Sequence, residues 1–559
     1  MDKFKLRFIP LGGTTDVTKN MYLYELYQDD RLKDILIVDC GIGFPRQGQL
    51  GVDFVIPDIS YLEDKTSFIR AVLLTHGHED HTSALPYHFD ELGRPPVFGS
   101  KLTAAFVENK FEELGKRIKV NRIDYQREYV FGQFRVKFLR VTHSIPDSTH
   151  ILIKTPLGTI YHGADFKFDL TPPFGKPPDF YEIVKAGREG VLCLLSDCLG
   201  AERPGLTLSE AAVGKTFEEE IRTTRGKFIM TTFSSNISRI RQCVEAAIKF
   251  NRKIAFLGRS MKENTRLASE IGYLPIPKTL IVDEEDVGRL PPSKVCLIVA
   301  GSQGQYSSAL AKLANDQNPN IKIRPGDKII FSSDPIPGNE NEVYGVIEDL
   351  ISQGADVYYS DIAEQLHSSG HGNQEDLKFL IRFTNPKFFI PIGGTLRHQR
   401  QYQKLVQQLG YQKEKVFGLT EGETIWFRMT GKGVDVYKGA KIETKNIYVD
   451  AYGIGDVGNI VLRDRKTLST EGIVFAFLVV NQEGMLVTRP KILSRGFVFE
   501  KEEKGLYEQA IRLIERMTKP KGGRVDIGNL KRGIIGQLED FFYQKRGRKP
   551  LVVVEVVEV

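Results

Sequence analysis

His76-Gly77-His78-Glu79-Asp80-His81 follows the apolar run Ala71-Val72-Leu73-Leu74-Thr75, so three imidazoles and two carboxylates stand where a buried strand would end. The whole chain has only ten histidines, and three of them within six residues mark a metal site rather than a solvated loop. On an extended segment His76 and His78 project to one side, while Asp80 and His81 can turn toward a second position. One cluster can therefore serve two adjacent cations.

Such a centre needs ligands from elsewhere, and the chain offers them at similar places. His143 closes the strand-like run 134–142, and Asp165 follows the run 158–164. Zinc takes imidazole nitrogen and carboxylate oxygen, and in catalytic sites it keeps one position open for water. We expect His76, His78 and His143 on one cation and Asp80 and His81 on the other, with Asp165 bridging. A bridged pair lies about 3.5–4 Å apart and makes the water between them a nucleophile near neutral pH.

His76, His78, Asp80, His81, His143 and Asp165, with Asp39 ending the strand-like run 35–39, resemble the ligand pattern of the metallo-β-lactamase superfamily. More narrowly, the chain is similar to the ribonuclease J family of β-CASP nucleases. The residues behind that likeness are the blocks 195–204 (LSDCLGAERP), 258–261 (GRSM), 301–304 (GSQG), 331–340 (FSSDPIPGNE), 367–372 (HSSGHG) and 455–464 (GDVGNIVLRD). It runs from about residue 5 to the end of the chain.

The resemblance implies an α/β fold: a metallo-β-lactamase αββα sandwich, discontinuous over residues 1–205 and 355–445. A β-CASP α/β domain would be inserted at 206–354, and a small α+β C-terminal domain at 447–559 would serve oligomerisation and RNA contact. It implies a 5′→3′ exoribonuclease with some internal cleavage, acting in mRNA decay and rRNA maturation and leaving 5′-phosphates. Asp80 would help hold the attacking water, His371 would protonate the departing 3′-oxygen, and Asp197 would orient His371. His367, Ser368, Ser369, Gly370 and His371, with Ser235 and Asn236, would contact substrate phosphate, and Asp39 would support the ligand loop. The cofactors would be two divalent metals, zinc first and manganese possible at the second position. The partners would be single-stranded RNA, preferably with a 5′-monophosphate, and further copies of the chain in a homodimer or homotetramer.

One position departs from the family pattern. The segment 391–398 normally carries a histidine at its third place, where this chain has Gly393. The second cation would then lack one ligand, which water, or His398 swinging inward, would replace; the other expectation for His398 is an exposed residue on the following helix. A site poorer in nitrogen ligands favours a cation content with carboxylate and water, such as manganese. Three further readings follow. The chain could be an inactive or weakly active RNA-binding subunit of an active relative, or a hydrolase of DNA or of another ester. His371 could instead cap the helix that begins near Gln374.

Composition bounds the reading independently. The 559 residues suffice for about three domains. The apolar and charged fractions, 41% and 26%, are those of a globular protein, and no apolar run is long enough to span a bilayer. The start of the chain lacks a signal-peptide pattern, and the five cysteines form no CxxC pair. Both point to a reducing cytoplasm. A net charge of +6 permits a polyanionic substrate without requiring one.

Apolar strand candidates at 35–39, 71–75, 190–196, 226–232, 253–257, 295–300, 328–332 and 387–392 alternate with helix-like stretches at 209–223, 239–250, 344–353 and 374–383. That alternation argues for α/β layers, and the polar motifs fall just after strands, where such sheets bind ligands. The small polar loops 234–236, 301–305 and 368–370 suit anion-binding nests. The last nine residues read as a strand, and the basic cluster 544–549 as a solvated loop with some capacity for RNA. His88, His150 and His162 look like ordinary packed histidines.

Overall fold

The computed structural model describes residues 4–46, 48–336, 338–362, 366–451, 453–498, 504–518 and 526–559. Met1–Lys3, and Pro337 of the block 331–340, lie outside the described residues. Residue contacts divide the chain into two units. One holds Met1–Phe44 with Val55–Ile447, the other Pro45–Phe54 with Tyr448–Val559.

In the first unit, two sheets are stacked and flanked by helices. The eight-stranded sheet is centred on Phe4–Pro10, Tyr22–Gln28, Arg31–Val38 and Ile69–Leu73. The six-stranded sheet runs Phe388–Ile392, Val191–Asp197, Gly158–Gly163, Thr149–Thr155, Phe134–Arg140 and Glu128–Phe131. Leu6, Phe8, Tyr24 and Leu36 of the first meet Phe134, Val136, Ile151 and Ile160 of the second in one dry core. The outer face of the second sheet is covered by the helices Phe180–Glu189, Gln374–Thr384 and Leu396–Gln408. Val191–Asp197, apolar on both faces, is buried along its whole length. A strand covered on two sides must read that way.

Strand direction places the chemistry. Arg31–Val38 and Ile69–Leu73 are parallel, so Asp39 and His76 leave the first sheet by one edge. Gly158–Gly163, Val191–Asp197 and Phe388–Ile392 are also mutually parallel, and Phe134–Arg140 runs with them through its antiparallel neighbour. His143, Asp165, Asp197 and Gly393 therefore all emerge from the second sheet along one edge.

Inserted after Val191–Asp197 is a five-stranded sheet that is parallel throughout, in the order Lys253–Leu257, Val295–Val299, Phe228–Thr231, Lys328–Phe331, Asp356–Tyr358. Both faces are covered, each with its own apolar cluster. The strands and helices expected from sequence lie within a few residues of those observed: the stretch 209–223, for example, is the helix Glu210–Thr223, and 374–383 is Gln374–Thr384.

A buried ion network ties the insertion to the sandwich. Arg239 on the helix Ile237–Lys249 is fully buried and donates twice to Glu210 Oε2, at 2.6 and 3.1 Å. Lys167 from the sandwich donates to Glu210 Oε1 at 2.8 Å and to Ser368 Oγ at 2.7 Å. Arg239 also reaches Ser332 Oγ at 2.6 Å and the Ser368 carbonyl at 3.2 Å. The loop 367–371 is thus held by two buried cations that share one carboxylate.

The second unit is a three-stranded sheet, Lys491–Arg495, Ile473–Val480, Leu551–Glu558. Val474, Ala476, Leu478 and Val554 pack against Ala510 and Ile514 of the helix Lys504–Met517 and against Leu538 and Phe542 of Ile527–Arg546. The expected final strand is present. In the basic cluster, Lys549 pairs with Glu539 at 3.0 Å, while Lys545 and Arg546 sit in the last helical turn, where cations complement the helix dipole. No helix among the described residues is long and apolar enough to cross a membrane.

Burial alone would raise the Glu210 carboxyl, but Arg239 and Lys167 outweigh it and hold the group at about 2, against an ordinary 4.5. A depressed carboxylate stabilises the fold above its unfolded value and loses that contribution as pH falls toward the folded one. Glu210→Gln should cost about 3–5 kcal/mol at pH 7, because it leaves two buried cations uncompensated. Denaturant unfolding at stepped pH should show the gap to the parent chain narrowing below about pH 4.5. An equal gap at pH 7 and pH 3 would contradict this account.

Candidate metal centre

Asp39 follows its strand with φ 60°, a left-handed conformation that costs energy for a residue with a side chain. What holds it there is visible: Asp39 Oδ1 accepts from the Thr75 amide at 2.8 Å, and Oδ2 accepts from Thr75 Oγ1 and faces His81 Nδ1, each at 2.8 Å. One buried carboxylate thereby fixes both ends of the histidine cluster. Burial raises its pKa, opposed by His81.

The imidazoles converge. His78 Nδ1 lies 3.2 Å from His76 Nε2 and 3.1 Å from His143 Nε2. Their outer nitrogens are anchored elsewhere: His76 Nδ1 at Thr75 Oγ1 (3.0 Å), His78 Nε2 at Ser144 Oγ (3.2 Å) and His143 Nδ1 at the Gly370 carbonyl (2.7 Å). His143 can only donate to that carbonyl, so its Nε2 keeps a lone pair for the interior. Burial first, then neighbouring imidazoles, drives the pKa of His76 and of His78 well down. Burial with His371 brings His143 to about 3. Three neutral imidazoles whose inner nitrogens meet at hydrogen-bond distance hold too few protons to share. Nitrogen donors oriented by outer hydrogen bonds suit a divalent cation in the zinc class.

Beside them lies a second, more anionic set. Asp165 Oδ2 is 3.3 Å from His81 Nε2 and 3.9 Å from each of His76 Nε2, His143 Nε2 and His371 Nε2. Asp80 Oδ2 is 3.6 Å from His81 Nε2. Burial would raise Asp165, but His81 and His371 dominate and hold it well down, whereas burial lifts Asp80 to about 6. His76, His78 and His143 form one group whose donor atoms all lie within 4.8 Å, and His76, His81 and Asp165 another. The residues present fit divalent-metal binding, with Asp165 placed between the two donor sets.

His371 lies alongside, its Nδ1 2.7 Å from Asp197 Oδ2. The helix Gln374–Thr384 is capped by Asn373 with Asp376, so capping is not the role of His371. Burial opposes protonation of His371, yet Asp197 and Asp165 prevail and raise it to about 9. Its Nε2 faces the cleft.

That cleft is a cavity of about 310 Å³ whose walls include Asp80, His143, Asp165, Ser235, Asn236, His367, Ser369, Gly370 and His371, with Phe44 and Phe233. The loop 367–371 passes so close to the ligands that a Cβ on Gly370 would lie 2.7 Å from the His143 ring. Arg239 donates to His367 Nδ1 at 3.2 Å, which places the imidazole proton on Nε2, aimed into the cleft and 3.7 Å from Asp334.

Several expectations need correction. Ser368 does not line the cleft: its hydroxyl is buried, donating to the Leu208 carbonyl at 2.5 Å and accepting from Lys167. His398 is not exposed; it lines the cleft, with its Nε2 3.5 Å from Glu202. It is 3% exposed, and its Nδ1 accepts from the Thr395 amide at 3.2 Å in the cap of Leu396–Gln408; swinging inward would break that cap. Gly393, at φ 64°, would direct a Cβ to 3.4 Å from Asp165 Oδ1, so the place a side-chain ligand would fill is bare. The loop 301–305 lines a neighbouring cavity rather than this one.

His150 and His162 are packed as expected, against Tyr161 and Tyr24 hydroxyls at 2.9 and 2.8 Å, and His88 is buried. Residues the sequence did not announce include Asn20, whose Nδ2 is 3.1 Å from His81 Nε2, and Lys167, Glu210 and Arg239. None carries a spacing signal; only contact reveals them.

Comparison with known proteins identifies the family. The metallo-β-lactamase superfamily model matches residues 14–194, the ribonuclease J β-CASP domain 225–350, the Zn-dependent metallo-hydrolase RNA specificity domain 359–417 and the ribonuclease J C-terminal domain 460–559. Ribonuclease J2 of Bacillus subtilis is 38% identical, with 99% of each chain covered. Ribonuclease J 1 of Streptococcus pyogenes is 37% identical over 97% of this chain and 96% of its own. Ribonuclease J of Thermus thermophilus is 36% identical over 99% and 95%. A solved structure of a protein of unknown function from Enterococcus faecalis shares the fold, with a TM-score of 0.54 at 14% identity over 76% of this chain and all of that one. The chain belongs to the ribonuclease J family, metallo-hydrolases of the metallo-β-lactamase superfamily that carry a β-CASP domain and an RNA specificity domain.

Proposed function

We propose that this metal-dependent ribonuclease is a 5′→3′ exonuclease with some internal cleavage, preferring RNA with a 5′-monophosphate, acting in mRNA decay and rRNA maturation. The observation that carries the reading is one small cavity. Its floor is the ligand cluster, and its wall is the loop 367–371. With the loop 367–371 beside the ligand cluster, this cavity of about 310 Å³ can seat a terminal phosphate next to the point of cleavage, which suits removal of terminal units.

His76, His78 and His143 would hold one divalent cation, and Asp80, His81 and Asp165 a second, Asp165 lying between. Bound there, the pair would activate water and neutralise charge building on the phosphate. The chain supplies the rest. His371, protonated and oriented by Asp197, delivers a proton from Nε2 to the departing 3′-oxygen. His367 Nε2 and the 369–371 backbone receive the terminal phosphate, Ser235 and Asn236 stand opposite, and Phe44 and Phe233 offer faces for an unstacked base.

Gly393 favours a second reading, a weakly active RNA-binding subunit. Among the described residues the His81 side has no fourth carboxylate or imidazole donor of its own, and it would hold its cation less tightly, admitting manganese as readily as zinc.

Incubation with 5′-monophosphorylated, 3′-labelled RNA should release mononucleotides from the 5′ end and stop with chelator; internal fragments alone, or indifference to chelator, would sink the exonuclease reading. A matched DNA strand should resist. His371→Ala should retain its metals by elemental analysis while turnover falls about 10²–10⁴-fold; unchanged turnover removes the role. After mild dialysis we expect one tightly held ion per chain and one readily lost, with Gly393→His strengthening the second. Two tight ions in the parent chain would contradict a weakened site.

A further inference from the structure

Beside the metal cleft lies a wider cavity of about 1000 Å³, and we propose that it is a phosphate site for a nucleotide, separate from the one at the loop 367–371. It opens at the carboxyl ends of the parallel sheet of the insertion. There Phe228–Thr231 and Val295–Val299 are neighbours. The chain leaves the first toward Lys253–Leu257 on one side and the second toward Lys328–Phe331 on the other. Loops that depart in opposite directions leave a crevice between them, the place where open α/β sheets take ligands. Both loops, through Thr232, Phe233 and Ser234 and through Ala300, Gly301, Ser302 and Gln303, line this cavity.

Two independent features specify an anion. The twelve-residue helix Arg259–Glu270 begins at the cavity with Gly258 at its N-cap and no side chain on its first amides, so free N–H groups and the positive end of its dipole meet a ligand. Ser302 is only 3% exposed and lines the cavity, and its hydroxyl has no hydrogen-bond partner among the described residues. Charge agrees. Arg259 and Lys312 border the cavity and make no ion pair among the described residues. Two of the three acids there are matched, Glu79 facing Lys110 at 3.9 Å and Glu284 taking Lys262 at 3.2 Å, while Glu263 sits in the electrostatic reach of Arg259. Glu263 has its pKa raised by burial and Glu113. Phe44 and Phe233 line this cavity as well as the metal cleft, and they offer rings to a base, which points to a nucleotide rather than a bare ion.

The phosphate could belong to a strand passing through the cleft or to a free nucleotide; only the first source rests on the ribonuclease reading. The test uses the full chain with chelator present, so that nothing is cut, and compares it with Arg259→Ala/Lys312→Ala and with Ser302→Ala. Uridine 5′-monophosphate is titrated calorimetrically. If free nucleotide is the ligand, the double variant binds one fewer per chain and Ser302→Ala weakens that site several-fold. Single-stranded RNA of ten nucleotides is titrated across salt. If the strand is the ligand, the slope of log Kd against log salt falls by about 1.4 in the double variant, for two lost phosphate contacts. No change in either arm, in variants whose circular dichroism matches the parent, overturns the proposal. Cleavage by the metal-loaded parent is scored apart, so its failure would sink the ribonuclease reading and leave this result standing.

Discussion

Three inner imidazole nitrogens, with His78 Nδ1 held 3.2 Å from His76 Nε2 and 3.1 Å from His143 Nε2, are the constraint on which the rest of the molecule depends. Burial and the neighbouring imidazoles disfavour their protonation, and lone pairs that converge in this way suit a cation. Such a cluster cannot be held by its own contacts. It is imposed by groups one layer out: Asp39, strained at φ 60°, Thr75, Ser144 and the Gly370 carbonyl. Each of those is in turn fixed by a sheet edge or by the buried network of Lys167, Glu210 and Arg239.

The two donor sets differ in character because the chain surrounds them differently. The first is closed by three histidines anchored on their outer nitrogens. The second depends on carboxylates and one imidazole, and its remaining side faces the bare backbone at Gly393. The discontinuity of the sandwich sets this arrangement, since the segment carrying Gly393 joins the same sheet edge only after the inserted domain has been built.

Much of the architecture was legible because it is periodic or clustered. Runs such as 191–197 and 295–299, apolar on both faces, can only be covered strands, and a dense His/Asp hexapeptide at a strand end announces a metal. Legibility failed where a residue acts alone through space. Nothing in the spacing of Glu210 or of Arg239 marks either one as paired. Both are buried and matched to each other, across a chain separation that leaves no pattern. His398 and Ser368 misled for the opposite reason. Their residue types fit ligand chemistry, but local capping and a buried lysine had already engaged their polar atoms.

The hydrogen bond from His143 to the Gly370 carbonyl spans 227 positions. The imidazoles of the first donor set are all synthesised before residue 150, yet the group that aims one of them is made much later, after the whole insertion. A growing chain on the ribosome therefore carries histidines but no competent centre until most of its length has emerged. The centre is completed only once the segment that follows the insertion has been made.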